Sequence, residues 1–545
     1  MTEAIAHSAL HQWLDEVATL IRDSKDIELE HHALIDFDID TVLLLVDVLQ
    51  SLEESLVDTS PEYYTACIFG FDLSVAKLQA MVEHGHRAGE KGIEKLMAKL
   101  TAVMLTKQHS ISYWLPMLNA FYDVHVELSP ALKDAYLTLA GDEEDTMGDY
   151  SEEEHVNSIK DLLHDMKDMS DFEKAEHFFA QSHAMPEDFF IDLLIDLYSV
   201  EEGKNIAILM LLHPKAMVRE FVSATFSELM PNIILSSLSL ARLKLIKPWY
   251  PKEMQPMFDD WIKIQRKKGV VFSDESPVTL LSAHSTEVDG SGAQGLFLLI
   301  KQGRKKRFCG MLLHMDYGIK DVWLTPLMTT KEIGQYFLEA FDEVTLRVVD
   351  EDYINLVLPH FLAITLSRGT MPTMAFLEIQ ELLGLHWAPQ RFDVKALIDD
   401  LAVKIQPFSA DVMRAALSRT LQWTHSKKFT ESWYFEEADI DKIVNRYCEI
   451  SDGVKICDAT SAHKALIELS FEKHRERFVF HFLWVTLWLK AHSKKNENAW
   501  KDSLMVAYAI QSGTPLTDIP LIHVMAEQSV ANSVETMNER KTYLN

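Results

Sequence analysis

Hydrophobic residues recur along most of this chain at the spacing of one helical face. In the stretch LHQWLDEVATLIRD, apolar side chains fall at the i, i+3, i+4 and i+7 positions from Leu10 to Ile21, the pattern of a helix packed against a core. The same period returns from Asp40 in DTVLLLVDVLQSLEESLVD, and again over 96–104 and 112–122. The pattern predicts an N-terminal part made of successive amphipathic α-helices.

The period changes to that of β-strands between residues 270 and 349. The segments SPVTLLSAHS, GLFLLIKQ, RFCGMLLHM and IKDVWLT are short, rich in β-forming residues and separated by glycine or polar turns. The middle two are joined through Gln302 to Lys306 and predict an antiparallel hairpin with an exposed basic turn. Thr329 and Glu332 then have the spacing of a capping box, which predicts the start of a helix that covers the sheet.

Helical periodicity resumes after residue 350. Gly369 and Gly384 each stand where a helix would stop, with a proline a few residues later. The apolar run FVFHFLWVTLWL, 478–489, predicts a helix that is buried on nearly all sides. Its 12 residues are too few for the roughly 20 that span a bilayer.

Apolar residues nearly vanish in the acidic segment GDEEDTMGDYSEEEH, 141–155. Its clustered carboxylates repel one another and favour a solvated connector, and the segment lacks the Asp-x-Asp-x-Asp-Gly order of a calcium loop. The predicted fold class is a mostly α, multi-domain helical protein of α-solenoid type with a small antiparallel-sheet α+β insert. We predict an N-terminal helical domain (1–140), an acidic linker (141–157), a second helical segment (158–269), an α+β insert (270–349) and a C-terminal helical domain (350–545).

One unit of the segment 158–269 has a recognisable turn. In NIAILMLLHPKAMVREFVSATFSELMPN, 205–232, an apolar stretch ends near His213-Pro214 and a second amphipathic stretch opens at Val218-Arg219. This unit resembles a HEAT-type repeat, in which two antiparallel helices are joined by a short proline-containing turn and an arginine follows a valine. Lys215-Ala216 stand where that family has an aspartate followed by another turn residue, so an aspartate–arginine ladder is not implied. The resemblance implies that 158–269 is a HEAT-like helical segment, whose paired helices stack and bind other proteins.

The charge balance narrows the classes of partner. The chain has 52 basic and 83 acidic residues, a net charge of -31, which opposes general binding to nucleic acids and anionic membranes. The four cysteines form no C-x-x-C pair, and the start MTEAIAHSALHQWLDEVATL has no secretory pattern. We therefore expect reduced thiols and a cytoplasmic protein that has no membrane segment.

The glycine-rich stretch EVDGSGAQG, 287–295, contains fragments of two ligand-binding motifs. It begins like an EF-hand loop, but the twelfth position is Leu298, where calcium requires a glutamate. GSGAQG has the G-x-G-x-x-G spacing, but a strand follows it instead of a helix that would face a phosphate. We interpret the stretch as a turn between strands and expect no cofactor. The histidines His31, His32, His84 and His86 lack a metal-ligand spacing, so we expect no metal site.

Four polar residues at predicted strand ends are the candidates for a catalytic site: Glu287, Asp289, His314 and Asp316. They could converge at one end of the small sheet and supply acid–base groups. The alternative interpretation is that they are solvated strand ends, and we favour that one because no complete catalytic motif accompanies them.

A basic cluster marks the predicted hairpin turn and consists of Lys301, Arg304, Lys305, Lys306 and Arg307. On so acidic a chain it could contact phosphates or the acidic surface of a protein. No aromatic residues are interleaved for base stacking, which disfavours nucleic acid. A solvated hairpin tip is the simpler interpretation.

These patterns favour a non-enzymatic protein-interaction or scaffold protein that uses helical-repeat surfaces, an inference that rests partly on analogy of fold. The alternative function is an enzyme, or a protein that binds a small ligand or metal, with its site in the α+β insert. The third is nucleic-acid association through the basic hairpin.

Overall fold

The computed structural model describes residues 2–25, 27, 39–83, 85–147, 152–272, 278–341, 344–405, 409–425, 430–436, 438–451, 454–491 and 497–542. The chain divides into two units, Met1–Ala207 and Ile208–Asn545. Both are built mainly from α-helices, and the second also contains a five-stranded antiparallel sheet. The protein is a mostly α, multi-domain chain with a small sheet insert, which confirms the predicted fold class.

The described part of the first unit is helical, as its periodicity predicts. Its helices are α1 (Thr2–Arg22), α2 (Ile39–Ser51), α3 (Ser55–Thr59), α4 (Pro61–Glu83), α5 (Arg87–Met104), α6 (Ile111–Asp123), α7 (Pro130–Met147), α8 (Glu152–Asp165), α9 (Asp171–Gln181), α10 (Phe189–Ser199) and α11 (Lys204–Ala207). Helix α4 packs against α1, α2, α5 and α6. Its side chains Phe71 and Val75 are fully buried in the core of this unit.

Helix α4 is also the one described helix that is long and apolar enough to cross a membrane by length and composition, with a mean hydropathy of 1.3. This criterion is also met by core helices of proteins that have no membrane segment. Its contacts with four neighbouring helices give its apolar side chains a place in the core of the first unit.

The acidic segment predicted as a linker is helical wherever the structure describes it. Helix α7 continues to Met147 and α8 begins at Glu152, whereas 148–151 lie outside the described residues. Glutamate favours the helical state, so a run of carboxylates does not by itself end a helix. The division between the two units falls at Ala207, inside the predicted segment 158–269. The five predicted domain boundaries stay predictions.

The second unit begins with the turn that resembles a HEAT repeat. A 3₁₀ stretch, Ile208–Leu212, precedes helix α12 (Ala216–Leu229), and α13 (Ser237–Ile246) and α14 (Gln255–Lys267) follow. The apolar stretch before His213 forms the short helix α11 and this 3₁₀ stretch, in place of the one longer helix that was predicted. From Ile208 to Leu211 every side chain is fully buried, so this stretch has no polar face. Arg219 donates from Nη1 to the carbonyl oxygens of His213 (2.7 Å) and Pro214 (2.6 Å), and so holds the turn closed.

The five-stranded sheet lies between these helices and the C-terminal ones along the chain. Its strands are β1 (Val278–Ser285), β2 (Ala293–Gln302), β3 (Lys305–His314), β4 (Gly318–Leu324) and β5 (Arg347–Val349), in the order β4-β3-β2-β1-β5 with antiparallel neighbours throughout. The β2–β3 hairpin confirms the predicted turn. Helix α15 (Thr330–Ala340) begins with the predicted capping box of Thr329 and Glu332. Strand β5 was not predicted from the sequence, because three residues are too few to show an alternating pattern.

The remaining chain is helical apart from one short hairpin. The helices are α16 (Glu351–Ser367), α17 (Met374–Leu383), α18 (Val394–Val403), α19 (Ala410–Thr420), α20 (Ala438–Tyr447), α21 (Ala459–Leu469), α22 (Arg475–Ala491), α23 (Glu497–Gln511) and α24 (Pro520–Thr542), and the hairpin strands are β6 (Cys448–Ser451) and β7 (Val454–Cys457). Gly384 ends α17 in the left-handed conformation with a φ of 62°, as predicted. Helix α22 is buried from His481 to Leu489, which confirms the buried helix predicted from its apolar run.

Cys67 and Cys309 are consistent with the expected thiols. Cys67 and Cys309 are buried and free, and burial raises the pKa of each thiol to about 12. Cys448 and Cys457 occupy directly opposed positions in the backbone register of β6 and β7.

Candidate functional site

One end of the sheet brings the four candidate catalytic residues into neighbouring turns. Glu287 and Asp289 lie in the turn between β1 and β2, and His314 and Asp316 lie at the turn between β3 and β4. The two turns touch, because the backbone N–H of Met315 donates to the carbonyl oxygen of Gly292 at 2.8 Å. The two turns that carry the four residues therefore lie next to each other, joined by a contact between backbone atoms.

Asp289 uses its carboxylate to shape its own turn. Its Oδ1 accepts from the hydroxyl of Ser291 at 2.7 Å and from the backbone N–H of Ala293 at 2.8 Å. Burial raises the pKa of this carboxyl group despite those bonds. An aspartate that caps its own turn in this way is a structural anchor, since its acceptor oxygen is already occupied.

His314 and Asp316 are engaged in a similar local arrangement. Nδ1 of His314 accepts from the backbone N–H of Asp316 at 3.1 Å, and a carboxylate oxygen of Asp316 lies 3.8 Å from Nη2 of Arg477 on α22. The same Nη2 donates to the carbonyl oxygen of Ser291 at 2.7 Å. Arg477 therefore links the two turns to the buried helix, a role that could not be predicted from the sequence.

Glu287 is the titratable group of this end with the strongest perturbation. The segment 430–434 lies over its turn: Trp433 donates from Nε1 to the carbonyl oxygen of Val288 (2.9 Å), and Gly290 donates from its N–H to Ser432 (2.9 Å). This burial raises the pKa of Glu287 to about 7, against the opposing effects of the Thr430 N–H, the Ser432 hydroxyl and the nearby Arg347. A carboxyl group with this pKa can exchange a proton near neutral pH.

Gly290 is required where these two segments meet. A Cβ atom at this position would lie 2.3 Å from the carbonyl oxygen of Tyr434, which is a clash with the main chain. The turn predicted from the sequence is present between β1 and β2, and its Gly292 has a positive φ of 80°. Gly290 is needed for a different reason. The glycine allows close approach by a segment more than a hundred positions away in the chain.

The basic cluster is divided between the interior and the tip of the hairpin. Arg307 pairs with Glu378 of α17, with 3.3 Å between Nη2 and Oε1, and both side chains are largely buried. The backbone of Lys306 pairs with Met328. Lys301, Arg304 and Lys305 are exposed. The predicted cluster of five is therefore an exposed group of three, a partly buried Lys306 and one arginine that holds the sheet to a helix.

The two faces of the sheet are covered to different extents. On the inner face, Leu296, Leu298 and Met311 are fully buried, and helices α16 and α17 contact β4 while α17 also contacts β1. On the outer face, the short helix α15 contacts β3.

A row of directly opposed residues crosses the outer face from one edge of the sheet to the other. The register pairs Val348 with His284, His284 with Phe297, Phe297 with Gly310, and Gly310 with Trp323. Directly opposed residues point to the same face, so the row forms one strip about 19 Å long over four strand spacings of about 4.8 Å.

Helix α15 and the residue after it cover the middle of this row and leave both ends open. The ring of Phe341 lies 4.6 Å from that of Phe297, and the ring of Phe337 lies 5.7 Å from that of His284. At the ends of the row, Trp323 is 37% and Val348 is 53% exposed.

The helix itself adds a third apolar side chain, because Leu338 is 72% exposed. Trp323, Leu338 and Val348 together are called the insert surface below. Leu338 could have been detected from the sequence, because it lies off the stripe of Ile333, Phe337 and Phe341 that faces the sheet. The exposure of Trp323 and Val348 depends on strand order and has no local signal.

Comparison with known proteins finds two parts of the chain similar to domains of Y4lR. Residues 395–534 match the Y4lR C-terminal helical domain, and residues 186–269 match the Y4lR second domain. The chain is 25% identical over 351 residues, 63% of its length, to the "Uncharacterized protein y4lR" of Sinorhizobium fredii (strain NBRC 101917 / NGR234). The match spans 65% of that relative. No solved structure matches the chain.

The match over 186–269 includes the unit that resembles a HEAT repeat. It relates the unit to Y4lR and leaves the HEAT-type interpretation of 205–232 unconfirmed. The matches cover α18 from its second residue, all of α19 to α23, and the turn held by Arg219, whereas the sheet and α15 lie between the two matched domains.

Proposed function

We propose that this protein binds other proteins and that the insert surface is its contact site. The observation that carries the proposal is the uneven covering of the sheet. Leu296, Leu298 and Met311 of the inner face are fully buried, whereas the outer row ends in exposed Trp323 and Val348, and α15 carries the exposed Leu338. Tryptophan and other large apolar side chains that lie open to solvent are typical of protein interfaces.

The polar groups of the insert support this proposal over catalysis at the strand ends. Asp289 anchors a turn, His314 accepts a backbone N–H and Asp316 lies beside Arg477, so each has a structural partner. Among the described residues, no group of three histidine, cysteine, aspartate or glutamate side chains has the arrangement of a metal site. Glu287 is the one member of the set whose raised pKa suits proton transfer, and it is the observation that favours the alternative enzyme function.

The expected partner combines apolar and acidic side chains. Lys301 has the same strand alternation as Phe297 on β2, so it stands on the outer face, and it is exposed together with Arg304 at the hairpin tip. Carboxylates on a partner would be attracted to this edge of the insert surface. Nucleic-acid association through the same lysine and arginine is the competing outcome, and it would show a steep dependence on salt.

The helical segments would act as a scaffold that positions the insert. The unit 205–232 would be a HEAT-like element of that scaffold, supported by the arginine-closed turn before α12. The protein would work in the cytoplasm, which the free buried thiols of Cys67 and Cys309 support.

The test is a comparison of two matched double variants of the full chain in affinity capture from cell extract. Leu338→Gln with Val348→Thr removes two apolar side chains of the insert surface while keeping good helix and strand formers. Ile234→Gln with Val403→Thr is the control, because these residues are 65% and 67% exposed and lie outside the insert.

We expect the control variant to capture the same proteins as the unaltered chain, and the insert variant to capture them about tenfold less well, the loss typical of interface anchors. Equal capture by both variants would contradict the proposal. Capture that survives in both variants but is abolished by Lys301→Glu with Arg304→Glu, and by nuclease, would assign the surface to nucleic acid instead.

A further inference from the structure

A cavity of 570 Å³ in the second unit is separate from the insert surface and from the strand-end residues. One wall is the first turn of α12 with Arg219, a second is the segment 248–255 before and into α14, and a third is the end of α16 with the chain just after it. The volume lies in the range of pockets that hold small molecules.

The walls are largely apolar and stiff. Trp249 and Tyr250 contribute aromatic rings, Met371 contributes a thioether, and Pro248, Pro251 and Pro389 fix the backbone around the opening. A pocket built from prolines and buried rings is largely formed before a ligand arrives, which lowers the entropic cost of binding.

Most polar groups of the walls are already used within the protein. The hydroxyl of Tyr250 donates to the carbonyl oxygen of Leu211 at 2.7 Å, and Nε2 of Gln255 donates to the carbonyl oxygen of Tyr250 at 3.0 Å. The hydroxyl of Ser367 donates to Ile364 and accepts from Arg391. These groups therefore have little capacity to select a polar ligand.

Arg219 differs from these three groups because it carries a positive charge. Its Nη1 donates to two backbone carbonyl oxygens. The carboxylate of Glu220, the next residue, also lines the cavity and interacts electrostatically with this charge. Both hydrogen bonds come from Nη1, so they do not use the Nε and Nη2 edge of the guanidinium.

We propose that this cavity binds a small hydrophobic monocarboxylate, whose anionic group pairs with Arg219 and whose aromatic or aliphatic body fills the apolar part. A guanidinium edge and a carboxylate match as a planar, two-point pair, which a neutral amide cannot reproduce. Burial lowers the pKa of Arg219, and an anion beside the guanidinium would favour its protonated, charged form.

Calorimetric titration of the full chain with 2-naphthylacetate and with its neutral amide tests the proposal. We expect the acid to bind at least tenfold more tightly than the amide. Arg219→Met should remove that preference by weakening the acid at least tenfold while leaving the amide unchanged. Arg414→Met is the control, because Arg414 is an exposed arginine of α19 that does not line the cavity, and it should leave the affinity of both compounds unchanged.

A second variant separates loss of charge from loss of the fold, since Arg219 also closes its turn. Ala388 lines the opening and is exposed, so Ala388→Phe should block the cavity and abolish binding of both compounds without touching the guanidinium. Equal affinity for acid and amide, no binding of the acid by the unaltered chain, or unchanged binding by Ala388→Phe would each overturn the proposal.

Discussion

Replacement of Glu287 by glutamine should make the protein's stability less dependent on pH. In the folded chain, burial under the segment 430–434 raises the pKa of this carboxyl group from 4.5 to about 7. Between those two values the folded state holds a proton that the unfolded state has released. The stabilising contribution is therefore complete below pH 4.5 and is lost as the pH rises through 7.

The magnitude follows from the size of the shift. Each pKa unit corresponds to about 1.4 kcal/mol, so the full shift would be worth about 3 kcal/mol, and partial exposure of the side chain reduces this to about 1–2 kcal/mol. Glutamine keeps an oxygen that can accept from Thr430 and Ser432 but carries no charge at any pH. The free energy of unfolding of Glu287→Gln relative to the unaltered chain should therefore rise by about 1–2 kcal/mol between about pH 5 and pH 8.

Urea unfolding of both chains at the two pH values measures this double difference, in which the titration of all other groups cancels. A difference that is constant within about 0.5 kcal/mol would refute the assignment of a buried, proton-binding Glu287. A difference that falls with pH would show that the carboxylate is stabilised in the fold, as in an ion pair, and would equally refute it.

Two further substitutions test the packing of the second unit by urea unfolding. Gly310→Ala places a Cβ atom 2.2 Å from Cε2 of Trp323, so the indole must move and stability should fall by about 1–3 kcal/mol; no change would mean that Trp323 is not held on this glycine. Glu381→Gln removes the carboxylate that lies 2.9 Å from Nε of Arg242, a side chain 2% exposed, and should cost about 3–5 kcal/mol. Most of that loss should be recovered in Glu381→Leu with Arg242→Met, and a single variant as stable as the unaltered chain would contradict the buried pair.

Local sequence signals predicted the elements of this fold well. The capping box of Thr329 and Glu332 and the left-handed Gly384 are formed by residues within one helical turn, so their effects do not depend on the rest of the chain. The β2–β3 hairpin likewise has its partners adjacent in sequence. For the acidic segment, the prediction of a connector stays a prediction, and helices α7 and α8 occupy its described residues.

Contacts between distant segments could not be predicted in the same way. The cover of Trp433 over Val288 joins residues 145 positions apart, and Arg477 reaches the two sheet turns from a helix whose sequence indicates only burial. These contacts determine the pKa of Glu287 and the structural role of Asp316. The four candidate residues could be placed at one end of the sheet from the sequence, but their roles depend on partners that periodicity does not reveal.

Amide hydrogen exchange of the free and the captured full chain shows whether a protein partner binds at the insert surface. We expect slower exchange on capture for α15, β5 and the outer edge β4, which carry Leu338, Val348 and Trp323, with unchanged exchange in α18 and in 231–236 around the control residues. Protection confined to segments outside the insert, with α15 and both edge strands unchanged, would contradict it.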